Sequence, residues 1–242
     1  MIKVTDDGPV RILTLDRPDR LNAFTAQSYR LLAQHLTAAA ADDNVVVTLL
    51  AGNGRGFCAG ADVKALMDEA TDTADMGVAF DTVLDALMTF PKPLVAAVHG
   101  SAVGFGFTML LHCDVVLVSE SARLRAPFTL LQTAPEAGSS WLLPRAIGPQ
   151  RAAELLLTSR WLTAAEAVEF GVAARVCDDA TLRDDGLALA HSIAEHGAAA
   201  TQVTKRLLRD GSVERIRAAI GRELDGAGEL NARRAPEWGR RG

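Results

Sequence analysis

Leu94-Val-Ala-Ala-Val-His-Gly-Ser-Ala-Val-Gly-Phe-Gly-Phe-Thr-Met-Leu-Leu-His-Cys-Asp-Val-Val-Leu-Val118 reads as strand, glycine-rich turn, short helix and second strand in immediate succession. Leu94–Val98 and Asp114–Val118 are nearly unbroken apolar runs, and a strand without polar alternation is one covered on both faces. Between them Gly100, Gly104 and Gly106 permit a tight turn, and Phe107–His112 has helical spacing. Strand, helix, strand in that order is the repeating unit of a parallel sheet.

Upstream the same rhythm continues. Val45–Leu50 is another buried strand, closed by Ala51-Gly-Asn-Gly-Arg-Gly56, and Phe57-Cys-Ala-Gly-Ala61 leads into a helix expected near Asp62. Thr25 caps a helix reaching about Ala41, with Tyr29, Leu32 and Leu36 on one face. Val10–Leu15 is a strand that follows the polar turn Asp6-Asp7-Gly8. Thr71–Asp75 reads as a loop and Val78–Phe90 as a helix. Downstream the pattern changes: Arg151–Leu157, Ala164–Phe170, Leu182–His196, Thr201–Arg209 and Val213–Leu230 are helical, and between them only Val172–Val176 suggests a strand. The expected layout is an α/β core over residues 1–195 followed by a helical region and tail over residues 196–242.

The chain has 242 residues, about half of them apolar, and a net charge of −5. That balance argues against a protein that coats nucleic-acid phosphates. Cys58, Cys113 and Cys177 are far apart, with no metal-ligand spacing, so they read as buried reduced thiols of a reducing compartment, and no metal site is expected. No signal peptide and no apolar run of membrane-spanning length is visible, which points to the cytoplasm and away from a membrane.

The chemistry-bearing candidates lie in turns. Cys58-Ala-Gly-Ala-Asp62 and Val103-Gly-Phe-Gly106 both place backbone N–H groups where a helix begins, and two such turns suggest paired donors for one oxyanion. The third candidate is Glu136, in Ala126-Pro-Phe-Thr-Leu-Leu-Gln-Thr-Ala-Pro-Glu-Ala-Gly-Ser-Ser-Trp-Leu-Leu-Pro-Arg145. Pro135 disfavours helix at Ala134, and Ser139 and Ser140 are small caps for the helix that follows. A first-turn Glu is ordinarily a partner of the helix dipole. His99 and His112 read as structural histidines, Glu120 as a surface residue and Asp62 as a helix cap.

Leu21-Asn-Ala-Phe24 after Arg17-Pro18, Gly56-Phe-Cys-Ala-Gly-Ala-Asp62, Pro93 to Gly104, Cys113-Asp114 and Thr163-Ala-Ala-Glu-Ala-Val-Glu-Phe-Gly-Val172 occur in that order. Together they resemble the crotonase superfamily, the enoyl-CoA hydratase/isomerase group, over about residues 2 to 230. The resemblance implies a crotonase-like ββα spiral core, a C-terminal helical trimerisation region, and a homotrimer or dimer of trimers. It implies an acyl-CoA thioester as substrate, so that coenzyme A arrives with the substrate and no separate cofactor is needed. The oxyanion donors would be the N–H groups of Ala61 and Phe105, the latter bringing a side chain able to crowd the acyl pocket where hydratases commonly have glycine. The coenzyme A would lie near Arg20, Leu21, Ala23, Ala59, Ala61, Asp62 and Val63, with Arg20 and Lys64 as phosphate contacts.

The same resemblance bears on the reaction. Hydratases of the group use two glutamates, and the matching positions here are Thr108 and Phe128, neither an acid. Glu136 falls in a segment similar to that of peroxisomal-type Δ3,Δ2-enoyl-CoA isomerases, where one glutamate is the only acid and base; related ring-forming isomerases of phenylacetate breakdown carry Asp there. The expected activity is a Δ3,Δ2-enoyl-CoA isomerisation in fatty-acid β-oxidation or related acyl-CoA degradation, with Phe105, Phe107, Phe128 and Trp141 as a dry wall. Competing readings are a hydratase with a relocated acid, a ring isomerase, a hydrolase, and a non-catalytic acyl-CoA-binding subunit.

Overall fold

The computed structural model describes residues 1–62 and 73–238, the side chains of Thr73 and of residues 234–238 excepted. Strand β1 (Ile2–Asp7) pairs antiparallel with β2 (Val10–Leu15). From β2 the sheet continues in parallel through β3 (Val47–Gly52) and β4 (Leu94–Val98). A short strand β5 (Ser101–Val103) leaves this sheet; β6 (Val115–Ser119) returns to lie beside β4. Strands β7 (Arg123–Arg125) and β8 (Leu162–Thr163) join β5 in a second, three-stranded sheet, and β9 (Arg175–Cys177) completes the first beside β6.

Each central strand buries both faces. Val10, Ile12, Val47, Leu49, Val95, Ala97 and Leu117 form one core with Leu182 and Ala190. The alternate positions Leu13, Leu15, Leu50, Ala96, Val98, Val116 and Val118 face the larger core. Two helices of the first half pack into that larger core: α1 (Ala26–Ala41), with the Thr25 hydroxyl accepting the Ser28 N–H as its cap, and α2 (Thr73–Thr89), which packs along α1. Helix α3 (Phe105–Thr108) runs on as a 3₁₀ turn over Met109–His112.

The helical half follows as α4 (Ser139–Ile147), α5 (Pro149–Thr158), α6 (Ala164–Phe170), α7 (Leu182–Ala194), α8 (Ala198–Leu208) and α9 (Ser212–Trp238). Leu182 and Ala190 belong to α7, which covers the outer face of the main sheet. A buried lysine ties α8 to the core: Lys205 Nζ lies 2.7 Å from the carboxylate of Asp114, a more exposed residue, and donates to the Lys92 carbonyl at 2.7 Å. A buried ammonium is tolerated only when it is paired and hydrogen-bonded in this way.

Architecture and C-terminal helices agree with the α/β expectation, and several local readings are corrected. Asp6 and Asp7 close strand β1 and leave the turn to Gly8 and Pro9: β1 is an edge strand whose side chains, apart from the half-buried Ile2, are exposed, so it shows no apolar period. Charges on an edge also protect it from pairing with other chains. Thr73–Asp75 is the first turn of α2 rather than loop, residues 71 and 72 lying outside the described residues along with the helix expected near Asp62. The third helix starts at Phe105, two residues before the expected Phe107. Strands β5, β7 and β8 are two or three residues long, too short for periodicity to register. The last helix runs past Leu230 to Trp238.

Candidate active site

The two glycine turns are held in one hydrogen-bonded ladder. Phe24 N–H donates to the Gly60 carbonyl at 2.7 Å and the Asp62 N–H donates to the Phe24 carbonyl at 2.9 Å, so Phe24 pairs with the residues on either side of Ala61. In a parallel bridge of this kind the N–H of Ala61 itself faces away from Phe24. Cys58 in turn pairs with Ala102 of β5, through Cys58 N–H to the Ser101 carbonyl at 3.0 Å and Val103 N–H to the Cys58 carbonyl at 2.9 Å. That ladder brings the first turn against the start of α3. Gly106 makes the approach possible, because a Cβ there would stand 2.3 Å from the Cys58 carbonyl oxygen.

Phe105 is the first residue of α3, where a helical N–H has no intrahelical acceptor. Among the described residues neither the Ala61 N–H nor the Phe105 N–H has a hydrogen-bond acceptor. The Phe105 ring does not fill the space in front of them. It is buried edge-to-face against Phe24, Tyr29 and Phe80, at centroid distances of 5.2, 5.1 and 5.4 Å.

Glu136 reaches this region from a turn bent by two consecutive left-handed residues, Ala137 (φ 60°) and Gly138 (φ 72°). Such a conformation costs roughly 1 kcal/mol or more at a non-glycine residue and persists only when surrounding contacts hold it. Those contacts come from two sides. His112 Nε2 donates to the Ala137 carbonyl at 2.9 Å. Burial pushes His112 down to about 4, so the ring is neutral; the carbonyl takes the Nε2 proton and leaves Nδ1 without a partner among the described residues. From the other side α9 packs on the turn. A Cβ on Gly138 would lie 2.7 Å from Ile216 Cγ2, and the buried Glu223 carboxylate accepts the Gly138 and Ser140 N–H groups, each at 2.8 Å. The expected capping of α4 by Ser139 and Ser140 is therefore corrected. Gly138 is the cap residue and has no side chain to offer, the Ser139 hydroxyl finds no partner among the described residues, and Glu223 supplies the acceptors.

Glu136 is half-buried, and desolvation of its carboxyl pushes it up to about 7 from 4.5, with the Glu223 charge acting in the same direction. The Thr108 hydroxyl, which finds no hydrogen-bond partner among the described residues, opposes the shift and so lies close to the carboxyl. Tyr29 and Cys58 are both raised, by burial first and by the Glu136 charge as well. Glu136 thus interacts with Thr108 of α3 and with Cys58 of the first glycine turn.

The remaining expected residues gather on the far side of that turn. The Leu21 carbonyl accepts the Ala59 N–H at 2.9 Å, and Arg17 Nη1 donates to the Ala23 carbonyl and to the Asp62 carboxylate at 3.0 and 2.8 Å. Arg20 ends a 3₁₀ turn over Pro18–Arg20 and is exposed. Val63 and Lys64 lie outside the described residues. Phe107 and Phe128 are buried, whereas Trp141 is half-buried with the Arg145 guanidinium 4.0 Å over its ring. Sequence reasoning missed Glu223 and the bracing role of His112. The signal for Glu223 was an acid at the seven-residue spacing from Ile216, on the apolar stripe of α9. No cluster of three His, Cys, Asp or Glu among the described residues could hold a metal.

Comparison with known proteins gives one consistent family. Residues 6–229 match the family described as enoyl-CoA hydratase/isomerase. The 1,2-epoxyphenylacetyl-CoA isomerase of Escherichia coli (strain K12) is 35% identical over 221 residues, which are 89% of this chain and 84% of that protein. Peroxisomal enoyl-CoA delta isomerase 3 of Mus musculus is 32% identical over 219 residues, 89% of this chain and 69% of that protein. Among solved structures, an enoyl-CoA hydratase/isomerase from Pseudoalteromonas atlantica T6c superposes with a TM-score of 0.90 at 37% identity, covering 96% of this chain and 91% of that one.

Proposed function

The chain belongs to the enoyl-CoA hydratase/isomerase family of the crotonase superfamily, and from that premise we propose that it moves the double bond of a 3-enoyl-CoA to the 2-position, with Glu136 as its single acid and base. One observation carries this reading: a half-buried carboxyl pushed up to about 7 interacts with Thr108 and with Cys58 of the first glycine turn, while the two hydratase positions hold Thr108 and Phe128. A base works best when its pKa lies near the operating pH, and neither Thr nor Phe can replace it.

The N–H groups of Ala61 and Phe105 hold the thioester oxygen. The Glu136 carboxylate takes the proton from C2, and the C–H electron pair moves through the conjugated system onto that oxygen, giving a dienolate. Glu136 then returns the proton at C4, C2 and C3 become doubly bonded, and the carboxylate is regenerated. Each preorganised donor to such an oxyanion is worth about 3 kcal/mol in the transition state. With Phe128 buried where a second acid would activate water, isomerisation is favoured over hydration.

The coenzyme A moiety belongs beside Arg20, Leu21, Ala23, Ala59, Asp62, Val63 and Lys64, where the substrate needs no additional cofactor. A homotrimer or dimer of trimers in the cytoplasm is part of the proposal. Exposed Leu207, Leu208 and Leu224 on the C-terminal helices support assembly, and no helix among the described residues is long and apolar enough to cross a membrane. A second reading, isomerisation of a ring-bearing acyl-CoA, is favoured by the Escherichia coli relative. Incubation with a 3-enoyl-CoA, a 2-enoyl-CoA and 1,2-epoxyphenylacetyl-CoA separates these readings. The first predicts that conjugated enoyl absorbance appears from the 3-enoyl-CoA; rapid loss of that absorbance from the 2-enoyl-CoA would establish hydration instead.

A further inference from the structure

We propose that Glu223 is a positioning residue for this reaction: it clamps α9 onto the turn that aims Glu136 and places a second negative charge behind the Glu136 carboxyl. The inference rests on the reading of Glu136 as the base.

A carboxylate in a buried helical stripe is costly unless its oxygens are satisfied. On α9, Ile216, Ala219 and Glu223 are buried and recur at helical spacing, so Glu223 occupies a place where packing alone would select an apolar residue. Its two oxygens each accept one backbone N–H, from Gly138 and from Ser140, both in the first turn of α4. Among the described residues no Lys or Arg pairs with it. Gly138 stands two residues from Glu136. His112 grips the intervening Ala137 carbonyl from the opposite side. The left-handed pair Ala137 and Gly138 is thereby pinned between the core and α9, which fixes the direction in which Glu136 leaves the turn.

The electrostatic role follows from what else surrounds Glu136. Tyr29 on α1 and Cys58 in the first glycine turn are raised, Cys58 to about 12, and both are neutral near pH 7. His112 is neutral too, being pushed down to about 4 by burial, with Lys205 and Arg209 acting on it from beyond. Thr108 contributes a hydroxyl that favours the carboxylate form. Among the described residues Glu223 is the one charged group acting on Glu136, and it disfavours ionisation there.

The test is the pH dependence of 3-enoyl-CoA isomerisation in Glu223→Gln and Glu223→Asp. The Gln variant removes the charge and one acceptor. Its acidic limb of kcat/KM is expected to move down by about half a unit or more, and its kcat to fall about tenfold. The Asp variant keeps the charge but shortens the reach, so kcat is expected to fall while the limb stays where it is in the unaltered protein. An unmoved limb in Glu223→Gln overturns the inference, whatever happens to stability. Should that variant fail to fold, Glu223→Asp decides: a fall in kcat at unchanged KM is expected, and an unchanged kcat overturns the proposal. Glu136→Gln separates the two ideas. Retained isomerisation there sinks the base assignment itself, whereas an inactive Glu136→Gln beside a normal Glu223→Gln profile sinks only the role of Glu223.

Discussion

The burial of the Glu136 carboxyl comes at a cost to the fold, and the cost has a sign. Its pKa is raised from 4.5 to about 7, so between those values the folded protein binds more protons than the unfolded chain. Stability therefore falls as pH rises through that window. Glu136→Gln should be more stable than the parent above pH 7, by roughly 2 kcal/mol, and the difference should shrink as the pH drops towards 4.5. Urea titrations at several pH values check this; a gap that does not depend on pH would contradict it. At this scale the sequence was legible where a residue type is chemically conspicuous. A lone acid beside Pro135, with Thr108 and Phe128 at the other two positions, could be singled out without coordinates. Glu223 could not, because Arg222 and Asp225 beside it make it resemble any solvated helix charge. Only the fold brings Gly138 and Ser140 to it.

The elements that matter most are the two turns and the helix between them, and they tolerate little bulk. Gly106→Ala would set a Cβ 2.3 Å from the Cys58 carbonyl, an obstacle of backbone that cannot rotate away. We predict a loss of about 2 kcal/mol or more in stability. Turnover should fall at least about tenfold as the Phe105 N–H shifts, readable by thermal denaturation and initial rates. The parallel strands β3, β4 and β6 were legible because burial on both faces leaves an apolar run. Strand β1 was not, since its edge position exposes most of it, and β5, β7 and β8 were hidden by their brevity. The α3 start was misplaced by two residues because Phe105-Gly-Phe107 offers no cap, and the helix begins instead from the left-handed Gly104.

At the scale of the whole molecule, the C-terminal helices serve the site as well as the surface. Lys205 binds α8 to Asp114, Ile216 and Glu223 bind α9 to the turn that carries Glu136, and Leu207, Leu208 and Leu224 are left exposed. Sedimentation velocity should find a species three or six times the mass of the chain. Leu208→Glu with Leu224→Glu should shift it towards the single chain and slow isomerisation, because α9 carries Glu223; an unaltered protein that sediments as a single chain would contradict assembly. The α/β core and helical tail were visible in the sequence, but how the tail reaches the Glu136 turn was not, since that contact joins Gly138 and Ser140 to Glu223 and leaves no local trace. The central claim is that one carboxylate performs the proton transfer, and it is tested by Glu136→Gln assayed with a 3-enoyl-CoA at saturating substrate. The account predicts that formation of the conjugated 2-enoyl-CoA falls about a thousandfold with the fold intact; a variant that retains turnover within a few-fold of the unaltered protein would contradict it.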